Sequence, residues 1–167
     1  MDFGEIYGRY ARDVYAFSLY LCGNRAVAED ITAETFARAF CGRPELRVDT
    51  LKAYLLAIAR NLYRDVMERQ RRLIPIGCVS ESESPAPSPH RALEDRQSFS
   101  AVLDALQRLP GPAREALLLA MKDLRYEQIG AILGCSVACV KVRIHRARMQ
   151  LKADLERQEK AHAKTDP

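Results

Sequence analysis

The most constraining stretch of this chain of 167 residues is YEQIGAILGCSVACVKVRIHRARMQLK, at positions 126–152. Ile129, Ile132 and Leu133 give a first helix of about two turns an apolar inner face. Gly134 can take the left-handed conformation that a tight interhelical turn requires, and Ser136 is suited to cap the helix that follows. Gly130 is small where the two helices must approach closely. In the second helix Val137, Val140, Ile144, Ala147 and Leu151 recur at steps of three and four, forming a continuous apolar seam. Off that seam lie Lys141, Arg143, Arg146, Arg148 and Lys152, with no acid before Asp154. A short helix, a glycine turn and a longer basic helix make a helix-turn-helix. Its exposed cations suit phosphates, and its shape suits the major groove of DNA. A merely solvated basic helix would need neither the turn residue nor the cap.

The same helical period runs through the rest of the chain. Ile6, Tyr10, Val14, Phe17 and Leu21 mark one face of a helix over 5–22, and Gly23-Asn24 reads as its stop. A second helix over 26–40 carries Glu29 and Asp30 early, in the first turn, where the helix dipole favours anions. A loop over 41–49 follows. Leu51, Leu55, Ile58, Leu62 and Val66 then line a third helix, which runs on into Glu68 and Arg69–Arg72. The segment PIGCVSESESPAPSPHRALE, starting at Pro75, alternates Ser with Glu and then brings Pro at every second position. It offers too little apolar surface to offset its ordering entropy, and reads as an extended linker.

Helical spacing resumes with Phe99, Val102, Leu103, Leu106 and Leu109, then breaks at Pro110-Gly111-Pro112 before a helix expected over 113–124. No strand-like alternation of useful length appears. The expected fold is therefore all-α: two small helical domains joined by an extended linker. Their expected bounds are 1–73 and 95–157, with the linker at 74–94 and a frayed tail at 158–167.

Composition narrows the function. The formal net charge of +4 is mild, so its placement matters more than its total. No apolar run approaches the roughly 20 residues that a membrane span needs, and the acidic start Met1–Glu5 lacks a signal-peptide plan, so a cytoplasmic chain is expected. The five cysteines (Cys22, Cys41, Cys78, Cys135, Cys139) include no C-x-x-C pair and read as free thiols. Cys135, Cys139 and the nearby His145 fall short of the four ligands of a zinc site, so no metal or cofactor is expected. Neither a nucleophile–base arrangement nor a phosphate-cradling glycine loop nor a catalytic carboxylate pair is visible. The chain is expected to be no enzyme and to take no small-molecule substrate.

AEDITAETFARAF at 28–40 and LKAYLLAIARNLYRDVMERQRR at 51–72 resemble the second conserved region of bacterial sigma factors. LDALQRLPGPAREALLLAMKDLRYEQIGAILGCSVACVKVRIHRAR at 103–148 resembles the fourth. The short linker, with no domain between, is similar to that of the extracytoplasmic-function group. The resemblance covers nearly the whole chain in the family's order, and implies a protein that binds core RNA polymerase (β′ clamp and β flap) and promoter DNA. It also implies an anti-sigma factor, often membrane-bound, that could hold the chain at the inner membrane.

Asp30 and Glu34 match the family's clamp-docking acids, while Ala33 stands where a Gln is usual. Arg60, Asn61, Arg64 and Arg71 match the face toward the minus-10 element and its unwound strand. The loop over 41–49 corresponds to the segment that pockets a flipped base, and Tyr54 replaces a usual Trp. Lys141, Arg143, His145, Arg146 and Arg148 match positions near the minus-35 element; His145 is either a DNA contact or a plain surface residue. Val142 replaces a common Ser, and Ala138-Cys139 a common Gly-Thr. Glu81 and Glu83 in the linker would mimic nucleic-acid charge in the polymerase cleft. Two alternatives stay open at this point: a dimeric helix-turn-helix regulator, and a degenerate sigma-like protein that does not initiate.

Overall fold

The computed structural model describes residues 2–41, 50–73 and 91–163, and these form seven α-helices with no strand among them. The expected base-pocketing loop (except Cys41) and most of the expected linker, with Cys78, Glu81 and Glu83, lie outside the described residues.

Helix α1 (Phe3–Cys22) opens on a capping box in which the Asp2 side chain and Glu5 satisfy each other's orphan backbone donors. It ends at Gly23, whose φ of 71° and N–H donation to the Leu19 carbonyl make a left-handed C-cap. The neighbouring Asn24, read only as a stop, also starts α2 (Arg25–Cys41): its Oδ1 accepts the Val27 N–H at 3.1 Å. Glu29 and Asp30 consequently sit beyond the first turn of α2, which holds no acid. Helix α3 (Leu51–Leu73) starts on Thr50, whose hydroxyl accepts the Ala53 N–H. Phe17, Leu21, Phe36, Leu55 and Leu56 fill the space between these three helices. Thr32 and Thr35 can be buried there because each hydroxyl donates to the carbonyl four residues back.

Helix α4 (Arg91–Arg108) starts inside the stretch read as linker, so the last of those residues are helical. Helix α5 (Gly111–Ala120) has Pro112 near its start, as its missing N–H favours, but stops earlier than expected. The chain turns through Asp123, at φ 60°, and so buries Leu124 before α6 (Tyr126–Leu133). Helix α7 (Val137–Ala163) runs on into the stretch read as a frayed tail. Good helix formers and no breaker between Glu156 and Ala163 account for the extension.

The helix-turn-helix is α6 and α7. Gly134 has φ 65°, and the Ser136 hydroxyl accepts the Cys139 N–H at 3.2 Å. Val140, Ile144 and Ala147 are buried along the seam. A Cβ on Gly130 would come within 2.7 Å of the Cys135 carbonyl oxygen, and backbone cannot step aside as a side chain can. Gly130→Ala should therefore cost about 1–3 kcal/mol in urea unfolding. A cost near zero would mean that the turn yields.

The two helical groups do not stand apart on their linker. Buried apolar residues of α1–α3 and of α4–α7 form one continuous cluster. The Tyr20 and Phe99 rings meet across the junction with centroids 5.9 Å apart.

Candidate nucleic-acid interface

Opposite its buried seam, α7 turns Lys141, Val142, His145, Arg146 and Arg148 to solvent. Positions spaced by three and four merge there into one face, cationic through to Lys152. Within it Val142 is an apolar side chain left 48% exposed. Arg143 differs from the other expected contacts. It is half-buried, and its charge bears on the Cys135 thiol beside the α6–α7 turn.

On α3, Asn61, Arg64 and Arg71 are exposed. Arg60, expected with them on a basic face, is not. Its Nε donates to Glu115 Oε2 of α5 at 2.8 Å, and the two side chains keep only 11% and 9% of their exposure. Its Nη1 also reaches the Ile132 carbonyl near the end of α6, at 3.4 Å. The cation is thus held between the two helical groups.

Sequence reasoning missed the rest of this junction. The buried Arg114 guanidinium donates to the Tyr63 hydroxyl at 2.8 Å and to the Gln107 carbonyl at the end of α4 at 3.0 Å, where the helix dipole welcomes a cation. The Gln107 amide donates to the Tyr20 carbonyl at 2.9 Å. Lys122 and Lys52 share Asp13, at 2.9 and 3.3 Å. Burial raises the Asp13 pKa, but the hydrogen bonds and charges of Lys122 and Lys52 outweigh it and leave the carboxyl below its ordinary value. A carboxyl so depressed stabilises the fold above its unfolded-state pKa of about 3.9, and this contribution is lost as pH falls through the folded value. A signal did exist: Arg114-Glu115 interrupts the otherwise apolar GPAREALLLA, and charges inside an apolar helix must find partners.

On α2, Asp30 and Glu34 are exposed one turn apart with Ala33 between them. Glu34 is paired with Arg38 at 2.7 Å, whereas Asp30 makes no ion pair among the described residues. Near the end of the same helix, exposed Phe40 meets Phe3 with ring centroids 4.5 Å apart, and Tyr7 stands beside Phe36 at 4.8 Å.

Cys22, Cys41, Cys135 and Cys139 are free thiols. Burial pushes the Cys135 thiol up, the neighbouring Cys139 thiol adds to this, and the charges of Arg143 and Arg60 pull against it. Among the described residues no three His, Cys, Asp or Glu side chains converge as a metal site would require. Nor is any single described helix long and apolar enough to cross a membrane.

Comparison with known proteins covers both helical groups. Residues 6–73 match the family described as Sigma-70 region 2, and residues 99–151 match Sigma-70, region 4. The chain is 31% identical over 157 residues to the ECF RNA polymerase sigma factor SigM of Bacillus subtilis, covering 92% of this chain and 94% of that protein. It is 34% identical over 152 residues to the ECF RNA polymerase sigma factor SigE of Mycolicibacterium smegmatis, spanning 89% of this chain but 59% of that longer protein. Among solved structures, the sigma factor RpoE of Bartonella quintana, crystallised with the anti-sigma factor NepR, superposes with a TM-score of 0.78 at 28% identity. That match spans 93% of this chain and 97% of RpoE.

Proposed function

Because the chain belongs to the extracytoplasmic-function RNA polymerase sigma factors, we propose that it carries core polymerase to a two-part promoter and helps to open it. In this reading residues 1–73 serve the polymerase clamp and the minus-10 element, and 95–157 serve the minus-35 element and the β flap. Asp30 and Glu34 dock on the β′ clamp. Asn61, Arg64 and Arg71, with Arg60 once it is released, meet the unwound strand. Lys141, His145, Arg146 and Arg148 meet the upstream duplex, and Arg143 supports them from the turn. An anti-sigma factor, such as RpoE has in NepR, would hold the chain inactive, at the inner membrane if that partner is anchored there.

The observation that carries this reading is the exposed cationic face of α7, continuous from Lys141 to Lys152 and backed by its own buried seam. A dimeric regulator also has such a helix, but has no use for an acidic α2 face followed by a polar α3 face. Neither that reading nor a non-initiating relative is favoured.

Run-off transcription is the test. Added to bacterial core polymerase on a library of promoter fragments, the chain should support start sites that core alone does not use. Tight operator binding by the chain alone, with no gain from polymerase, would overturn the reading.

A further inference from the structure

We propose that Cys135 and Cys139 form a two-thiol site for trivalent arsenic, which would bridge them across the cap between α6 and α7.

The turn itself brings the two side chains together. The Cys135 N–H donates to the Gly130 carbonyl at 3.0 Å, which closes the chain back on α6 just ahead of the cap. The Cys139 N–H donates to the Ser136 hydroxyl at 3.2 Å, in the first turn of α7. The two residues thus flank the cap four positions apart, and their thiols are neighbours. Both are free and half-buried, so a small reagent in solution can still reach them. The other described cysteines are placed differently. Cys22 donates its thiol to the Asn24 carbonyl at 3.2 Å, and Cys41 ends α2 in solvent.

The donor set selects the ligand. Zinc takes four ligands in structural sites and three protein ligands in catalytic ones. Among the described residues no third His, Cys, Asp or Glu joins this pair. A trivalent arsenical forms three bonds, one of them already made to its own carbon or hydroxyl, so two soft sulfurs complete it. Charge points the same way. Arg143 and Arg60 both act on Cys135, so a metal ion would meet two cations there, whereas an arsenic hydroxide is neutral. Nor do the thiols have to ionise first. Each S–H condenses with an As–OH, an As–S bond forms and a water leaves, and no oxidation state changes. Burial of Cys135 disfavours the thiolate that attack on a peroxide requires, and leaves this condensation open. The second As–S bond closes within the chain at high effective concentration, so the pair should outbind any single thiol.

Phenylarsine oxide is the probe, added to the full chain in a phosphine reductant that carries no thiol. Native mass spectrometry should show a single adduct, heavier by the oxide less a water. The adduct should resist excess glutathione, a monothiol, and come off with dithiothreitol, a dithiol. Cys135→Ser and Cys139→Ser should each weaken its retention against glutathione by roughly 100-fold. Cys22→Ser, Cys41→Ser and Cys78→Ser together should leave it intact. Circular dichroism checks that the helices persist; where a serine variant loses them, Cys135→Ala or Cys139→Thr takes its place. An adduct that survives loss of either Cys135 or Cys139, that is absent from the triple variant, or that glutathione displaces from wild type would each overturn the site. Zinc held by the same pair more tightly than the arsenical would overturn the choice of ligand. No arm of the test needs polymerase or DNA, so the site and the sigma reading stand or fall separately.

Discussion

Replacing Asp30 and Glu34 together with alanine should weaken binding to core RNA polymerase by roughly 10- to 100-fold, about 1.4–2.7 kcal/mol. The fold should survive the change. Both side chains are exposed, and alanine is the best helix former. Among the described residues the bond lost is the half-exposed Glu34–Arg38 pair, and surface i,i+4 pairs contribute about 0.3–0.5 kcal/mol. The two acids should not count equally. Glu34 has to give up Arg38 before it can meet a cation on the polymerase, whereas Asp30 has no ion pair to break among the described residues. Asp30→Ala alone should therefore cost more than Glu34→Ala alone. Competition against a labelled wild-type chain for core polymerase measures both. The clamp-docking assignment would be lost if the double variant competed as well as wild type, with its helicity unchanged.

The features legible in the sequence were those that a few neighbouring residues decide. Gly134 took the left-handed turn and Ser136 capped α7 because each answers to groups within four residues of it. The apolar seam of α7 was legible for the same reason. Helix ends were read less well where no residue forces a stop, as between Glu156 and Ala163, or where burial decides, as with Leu124 beyond the early end of α5. The junction was hidden because its ties join positions far apart: Arg60 to Glu115, and Asp13 to Lys122 across most of the chain. Periodicity could put Arg60 on a polar face of α3, but not reveal that another helix covers that part of the face. Arg143 taught the same lesson: a basic residue off the seam need not point into solvent.

Two substitutions on α7 should separate phosphate contact from base reading, since they sit on one face and differ in chemistry. Arg146→Ala removes an exposed cation. It should weaken binding to the upstream element about tenfold and lower the slope of log affinity against log salt by about 1, alike for every base sequence. Val142→Ser removes no charge and should leave that slope unchanged. Its effect should be confined to one base pair. In the proposed reading this face enters the major groove, where an exposed valine would find one apolar feature on a base edge, the C5-methyl of thymine. Replacing each upstream thymine in turn by uracil deletes that methyl and nothing else. With polymerase bound, wild type should lose affinity at one such position, and the Val142→Ser variant should be indifferent to the same swap. Equal sensitivity of both chains at every position would remove Val142 from the groove. An unchanged salt slope in Arg146→Ala would remove Arg146 from the phosphates.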